Sequence, residues 1–345
     1  MPNTQIRKVL ITAFGDESNV QVVDAEIADP DPLHVQVRVL FSGFSGSDIN
    51  MRRGVYPLQK AAPLTPGYCF VGSITQVGQK CTRFTLPADS GALVCCLSVY
   101  DAEAELVNMP EKYLIRVPAG LDTTLVTALI LDWNTAYGMV MRGAAVKNGQ
   151  KVFVHGLSGA VGWATGVLCS LQGAKVYGTA SLRNHAAIVR GLPDSTLFEY
   201  TKKEWIQAMK EIGGVDAVFD PLGFESWDES YSVLNPRSGG ILVGYGGNLQ
   251  TLGGGKPRSI IPPTVKLLVR GYLKFWDRRR ALFYYISRDD KFFSKDLEAL
   301  FKLLKDGKIK VPIKKIYDME NIQEAHKSWG YGEGVGSLLI KVKNE

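Results

Sequence analysis

The stretch Lys151-Val152-Phe153-Val154-His155-Gly156-Leu157-Ser158-Gly159-Ala160-Val161-Gly162 runs from a strand-forming segment through a turn of small residues into a helical run. Small side chains let backbone N–H groups approach a pyrophosphate, and the start of the following helix favours its negative charge. Ser158, Gly159, Ala160 and Val161 are therefore candidates for phosphate contacts. The pattern departs from Gly-x-Gly-x-x-Gly at one place: Leu157 stands where the first glycine would, with Gly156 one residue earlier.

Enzymes that bind NAD end the next strand, about 20 residues on, with an acid that holds the ribose 2′-hydroxyl. Here Lys175-Val176-Tyr177-Gly178-Thr179 is followed by Ala180-Ser181-Leu182-Arg183-Asn184, with no acid. An acid would repel a 2′-phosphate, whereas Ser181 and Arg183 can hydrogen-bond to one. The pattern predicts NADPH rather than NADH.

These residues need a parallel sheet to hold them. From Lys151 the chain alternates strands (152–155, 176–179, 215–219 and 240–245) with helices (161–172, 184–192 and 205–212), an order that predicts right-handed crossovers. The first 125 residues read instead as short strands, among them 9–13, 20–24 and 35–41 with alternating Val35, Val37 and Val39. Thr123 to Arg142 reads as a helix crossing between the two regions. After residue 276 a helix over 295–305 presents Leu297, Leu300, Phe301 and Leu304 on one face. A second helix near 321–329 and a strand over 337–342 follow.

Composition narrows the class of function. The 345 residues are 46% hydrophobic and 21% charged, as expected of a folded enzyme of two domains. The polar Met1–Lys8 lacks a signal peptide's apolar core and no membrane-length apolar run occurs, so a cytoplasmic location with no membrane partner is expected. Five cysteines without a Cys-x-x-Cys pair do not make a disulfide framework. The net charge of +6 is spread along the chain apart from Lys256–Arg280, where eight Lys or Arg face one Asp; Arg278-Arg279-Arg280 reads as a solvated helix face, and nucleic acid is not an expected partner.

Several motifs then occur in a recognisable order: Gly54-Val55-Tyr56-Pro57 after Asp48, Pro66-Gly67 leading to Gly72, Thr135-Ala136-Tyr137, the turn around Gly159, Val218-Phe219-Asp220-Pro221-Leu222-Gly223, Gly239-Gly240 before Val243, and Gly336-Ser337-Leu338-Leu339-Ile340. In these the chain resembles the zinc-independent quinone oxidoreductase and enoyl reductase branch of the medium-chain dehydrogenase/reductase superfamily, over nearly its whole length. The resemblance implies an α/β protein with a GroES-like β-rich catalytic domain built from both chain ends (1–126 and 276–345) and an inserted Rossmann domain (127–275). It places the active site in the cleft between them and implies a homodimer.

Zinc relatives hold their metal with Cys, His and Glu in a fixed tetrahedral set. The matching positions here carry Ser45, Tyr68-Cys69, and Leu131 or Asp132, and Cys95-Cys96 lacks the partner cysteines of a structural zinc lobe. No metal is expected. The four histidines, 34, 155, 185 and 326, lie far apart and read as structural or exposed.

Without a metal, the expected chemistry is hydride transfer from NADPH to a quinone or to the C=C bond of an α,β-unsaturated carbonyl, with a hydroxyl quenching the enolate. By resemblance Ser45 and Asn50 fall at nicotinamide or substrate contacts, Ser45 as a catalytic candidate beside Tyr56. Tyr56 is the first choice of proton donor, and Tyr68, Trp133 and Asn134 are walls of the acceptor pocket. Thr135, Tyr200, Gly244-Tyr245-Gly246 and Ser337 are implied cofactor contacts, Tyr200 toward the 2′-phosphate. Asp48 matches a common acidic position or caps a helix, and Phe275-Trp276 would overhang the cleft. Two other outcomes on the same fold are a pathway-specific or redox-neutral enzyme of secondary metabolism and an NADPH-binding interaction protein without turnover.

Overall fold

The computed structural model describes residues 4–254, 256, 258–272 and 277–342. The expected aromatic pair Phe275-Trp276 lies outside them. The chain divides into two units: residues 1–131, 287–331 and 337–345 form the first, and 132–286 with 332–336 the second.

The first unit is GroES-like. Its seven-stranded sheet runs Ile313–Asp318, Ser337–Lys341, His34–Phe44, Phe70–Val77, Leu93–Cys96 and Ile115–Arg116, with Leu106–Pro110 also pairing with His34–Phe44. The long strand His34–Phe44 is central because Val35, Val37 and Val39 alternate into the core, and its last residues Phe41, Ser42 and Phe44 are buried too. Ser337–Lys341 pairs antiparallel with it, Leu338 opposite Phe44, so the two chain ends share one sheet. A separate hairpin, Thr4–Ile11 with Val20–Ile27, completes the strands.

The second unit is a Rossmann domain. Its six parallel strands lie in the order Thr196–Glu199, Lys175–Ala180, Lys151–Val154, Ala217–Asp220, Ile241–Gly244, Arg280–Phe283. In chain order this is 3-2-1-4-5-6, which places the topological switch beside Val154 and Asp220 and the crevice at their C-terminal ends. The core gathers Phe153, Val218, Leu242, Trp205, Trp227 and Leu267.

Three sequence expectations change. Residues 277–286 supply the sixth Rossmann strand instead of returning to the catalytic part, since Arg280–Phe283 pairs in parallel with Ile241–Gly244. Arg278-Arg279-Arg280 is not a helix face: the run leads into that strand, and Arg279 pairs with Asp277 at 2.9 Å while its guanidinium lies 4.8 Å from the Tyr231 ring centre. The helix over 123–142 is capped by Asp122 as its composition demands, but it widens twice into π-turns, at Leu129–Trp133 and Met139–Gly143. The boundary between the units falls inside the first of these, and π-turns recur at functional sites.

Candidate active site

The phosphate turn is built by three apolar and glycine contacts. Gly156 has φ +69°, a left-handed conformation that costs glycine little, so the tight turn sits one residue before the motif's usual position. Leu157 is thereby turned into the core, where its side chain fills the space above Gly166 and Gly178; a Cβ on either would come within 2.8 or 2.5 Å of it. Gly162 permits the helix Ala160–Leu171 to start against the turn, because a Cβ there would lie 2.1 Å from the Gly156 carbonyl oxygen.

No side chain caps this helix at Gly159. The first N–H bonded back into it is that of Trp163, to the Gly159 carbonyl at 2.8 Å, and Gly159 forms a parallel bridge with Gly336 that engages the Ala160 N–H, which leaves those of Val161 and Gly162 at the helix end. A helix start without a cap, on a glycine turn, fits a pyrophosphate. The segment 332–336 crosses this turn. Gly336 N–H donates to the Ser158 carbonyl at 3.2 Å, and Gly334 N–H to Asn184 Oδ1 at 3.0 Å. Asn184 in turn donates from Nδ2 to Ser181 Oγ at 3.3 Å. Sequence reasoning did not single out Asn184, Gly334 or Gly336 as site residues, because nothing local ties residue 334 to residue 184.

Beneath the turn lies a buried polar chain with a single consistent direction. Gly156 N–H donates to Thr179 Oγ1 (3.2 Å), which lies 3.4 Å from His155 Nδ1; His155 Nε2 lies 3.0 Å from Ser230 Oγ, which donates to Asp220 Oδ2 (2.7 Å). Ser226 Oγ and Leu222 N–H also donate to the Asp220 carboxylate, both at 2.7 Å. Burial holds the His155 imidazole below its ordinary value against the pull of Asp220, so the neutral ring carries its proton on Nε2 and accepts at Nδ1. His155 is therefore structural, as its isolation in the sequence suggested.

At the end of Lys175–Ala180, Tyr200 N–H donates to the Ala180 carbonyl at 3.2 Å, which ties Tyr200 to the residue before Ser181. Tyr200 is 60% exposed and Arg183 is exposed. The adjacent acid, Glu199, accepts from Thr201 N–H at 3.4 Å. On the far side of the switch, Tyr245 N–H donates to the Asp220 carbonyl at 3.2 Å, setting Gly244-Tyr245-Gly246 over the strand end. Burial, then Asp220 and Asp132, raises the Tyr245 hydroxyl above its ordinary value, so it stays a neutral donor. Trp133, Asn134 and Thr135 are all buried in this unit.

In the first unit, Ser45 ends the strand His34–Phe44 and caps the helix Gly46–Arg52. Its Oγ accepts from Ser47 N–H (3.2 Å) and donates to Asp48 Oδ2 (3.2 Å), while its own N–H donates to the same oxygen (2.8 Å). In this reciprocal cap Asp48 takes the capping role, and the Ser45 hydroxyl is engaged. Asn50 sits half-buried on that helix, and its carbonyl accepts from Val55 N–H at 3.0 Å. The following turn carries Tyr56, whose hydroxyl lies 2.6 Å from that of Tyr68, the two rings meeting edge to face. Tyr68 is buried to 1% exposure and Tyr56 is half-buried. Ser337, also in this unit, is buried at the start of the closing strand, its N–H donating to the Pro312 carbonyl at 3.0 Å.

Beside Asp48 lies an acid that sequence reasoning missed. Burial pushes the Asp48 carboxyl up to about 6 against its hydrogen bonds from Ser45 and Gly67. Glu103 is fully buried with neither carboxyl oxygen bonded, and burial and then Asp48 raise it well above the usual carboxylate range. A carboxyl raised in the fold keeps a proton that the unfolded chain releases, so its stability contribution falls as pH rises from the ordinary carboxylate range toward its folded value. Glu103→Leu is accordingly expected to stabilise the protein by about 1–4 kcal/mol at pH 8, with a smaller gain at pH 5. Urea denaturation at both pH values checks this, and a variant less stable at pH 8 would contradict it.

Among the described residues, no three His, Cys, Asp or Glu side chains gather into a metal-binding group, and no helix is long and apolar enough to cross a membrane. Residues 31–119 match the alcohol dehydrogenase GroES-like domain and residues 194–340 the zinc-binding dehydrogenase domain. The human synaptic vesicle membrane protein VAT-1 homolog is 27% identical over 97% of this chain and 86% of its own length. A probable quinone oxidoreductase of Schizosaccharomyces pombe is 28% identical over 96% of each chain, and a 2-haloacrylate reductase of a Burkholderia species 28% identical over 97% of this chain and 98% of its own. The crystal structure of Escherichia coli quinone oxidoreductase complexed with NADPH has the same fold, with a TM-score of 0.78 at 21% identity over 97% of this chain and 99% of that one.

Proposed function

We propose that this chain, a member of the medium-chain dehydrogenase/reductase superfamily, is an NADPH-dependent reductase of quinones or of the C=C bond of α,β-unsaturated carbonyls, in the quinone oxidoreductase and enoyl reductase branch. The observation that carries the reading is the end of the second Rossmann strand. Tyr200 is tied there by its N–H to the Ala180 carbonyl, Ser181 and Arg183 follow Ala180 in the chain with no acid among them, and Glu199 accepts from the Thr201 N–H.

Val161 and Gly162 offer their N–H groups to the pyrophosphate beside Ser158, Gly159 and Ala160 of the turn, and Ser181, Arg183 and Tyr200 hold the 2′-phosphate. Thr135, Gly244, Tyr245, Gly246 and Ser337 complete the cofactor contacts. Bound there, NADPH supplies a hydride. Asn50, Trp133 and Asn134 shape the acceptor's surroundings, and Tyr56 donates a proton to the oxygen on which negative charge develops. Ser45, occupied in its helix cap, orients the helix that carries Asn50 and does not donate. One relative is named for the reduction of 2-haloacrylate, a compound that carries an activated C=C bond, which supports this acceptor class. The protein works as a cytoplasmic homodimer in this reading, a state that light scattering reads directly.

A panel of quinones, enones and enoates assayed for NADPH oxidation tests the proposal. Turnover on at least one acceptor, undiminished by a chelator, is expected. Tight NADPH binding without turnover on any acceptor would transfer the chain to the interaction proteins of the same fold.

A further inference from the structure

Resting on that reductase reading, we propose that Tyr68 is a positioning residue: its hydroxyl, 2.6 Å from that of Tyr56, donates to Tyr56 and stabilises the phenolate left when Tyr56 gives up its proton. The geometry of the pair carries this, and the resemblance agrees with it: the segment Tyr68-Cys69 stands where zinc relatives hold their metal, and Tyr68 offers a neutral donor. It is also 1% exposed, fixed by Val99 N–H donating to its carbonyl at 2.9 Å, while Tyr56 is half-buried in the turn after Asn50. The buried phenol is thus preorganised, and Tyr56 is the more accessible of the two.

The step balances as follows. With a hydride supplied by a bound nicotinamide, the acceptor β-carbon would gain a C–H bond and the C=C pair would move to give the enolate, whose oxygen takes the Tyr56 proton; the resulting enol would become the ketone by losing its O–H proton to water and gaining one from water at the α-carbon. The Tyr56 oxygen, now anionic, keeps the electron pair of its broken O–H bond and accepts from Tyr68 O–H. Solvent water returns the proton to Tyr56 after product leaves. Tyr68 itself neither gains nor loses a proton.

The decisive comparison uses an enone, which needs the proton, and a nitroalkene such as β-nitrostyrene, whose nitronate product is a weak base and leaves without one. Tyr68→Phe is expected to lower kcat on the enone about 10- to 100-fold, with a solvent isotope effect that increases, and to lower kcat on the nitroalkene at least about tenfold less. The dissociation constant for NADPH, read by fluorescence, should not move, which also reports that the variant is folded. Because the two hydroxyls act as one unit, Tyr56→Phe with Tyr68→Phe should be no slower on the enone than Tyr56→Phe alone. Equal losses on both acceptors, full additivity in the double variant, or an unchanged enone rate in Tyr68→Phe would each overturn the proposal while leaving the reductase reading intact. Failure of the unaltered protein to reduce any enone overturns the proposal, and only failure on the whole panel, quinones included, overturns the reductase reading.

Discussion

Replacing Arg183 with Ala and Tyr200 with Phe together is expected to raise KM for NADPH about 10- to 100-fold while KM for NADH changes less than about threefold, since a hydrogen bond to a charged group contributes roughly 1.5–3 kcal/mol. NADH has no 2′-phosphate and so has nothing to lose at these positions. The variant is a clean probe because both side chains are exposed: the link that places Tyr200 is its backbone N–H on Ala180, which the substitution leaves in place. Steady-state kinetics with the two cofactors measures the effect. Equal increases for both would remove the 2′-phosphate assignment and leave the cofactor open between NADPH and NADH. Raising ionic strength should weaken NADPH selectively in the unaltered protein, because an exposed phosphate–guanidinium contact is screened.

Tyr56→Phe carries the second large effect, a fall in kcat on an enone of about 10²–10³ with KM for NADPH unchanged, as expected when a positioned general acid is removed. Ser45→Ala makes the contrast. Its hydroxyl is committed to Ser47 and Asp48, so the substitution should lower stability by about 1 kcal/mol through loss of the cap and change kcat little. A Ser45→Ala enzyme as slow as Tyr56→Phe would show that the capping serine, and not the tyrosine, supplies the proton.

The Rossmann half was legible because its information is local. Strand, small-residue turn and helix follow one another in sequence, and the switch of hydrophobic period marks each element. The joining of the chain ends was not, since Ser337–Lys341 finds His34–Phe44 across most of the chain and nothing near either strand announces the pairing. The resemblance to a known family supplied that link. Leu157 looked like a defect in a phosphate motif until the structure showed the turn moved to Gly156 and the leucine packed on Gly166 and Gly178.

Charge misled the reading in two places. Arg278-Arg279-Arg280 looked like a solvated helix, yet it leads into a strand and Arg279 lies over an aromatic ring. Glu103, in the acid-rich Asp101-Ala102-Glu103-Ala104-Glu105, gives no sign in sequence that it is fully buried beside Asp48. The Tyr56–Tyr68 contact was also invisible: both residues were singled out, but they lie in irregular segments, where no periodicity reveals that two hydroxyls meet.

The central claim, hydride transfer from NADPH to an activated acceptor, is tested most directly by following the isotope. The protein is incubated with NADPH stereospecifically deuterated at nicotinamide C4 and an enone that the acceptor panel selects, and the product is examined by mass spectrometry and NMR. The account predicts one deuterium at the β-carbon from one of the two C4 epimers of the cofactor, and a solvent-derived hydrogen at the α-carbon. Product without cofactor-derived deuterium, or NADPH bound stoichiometrically with no labelled product from any acceptor in the panel, would contradict it.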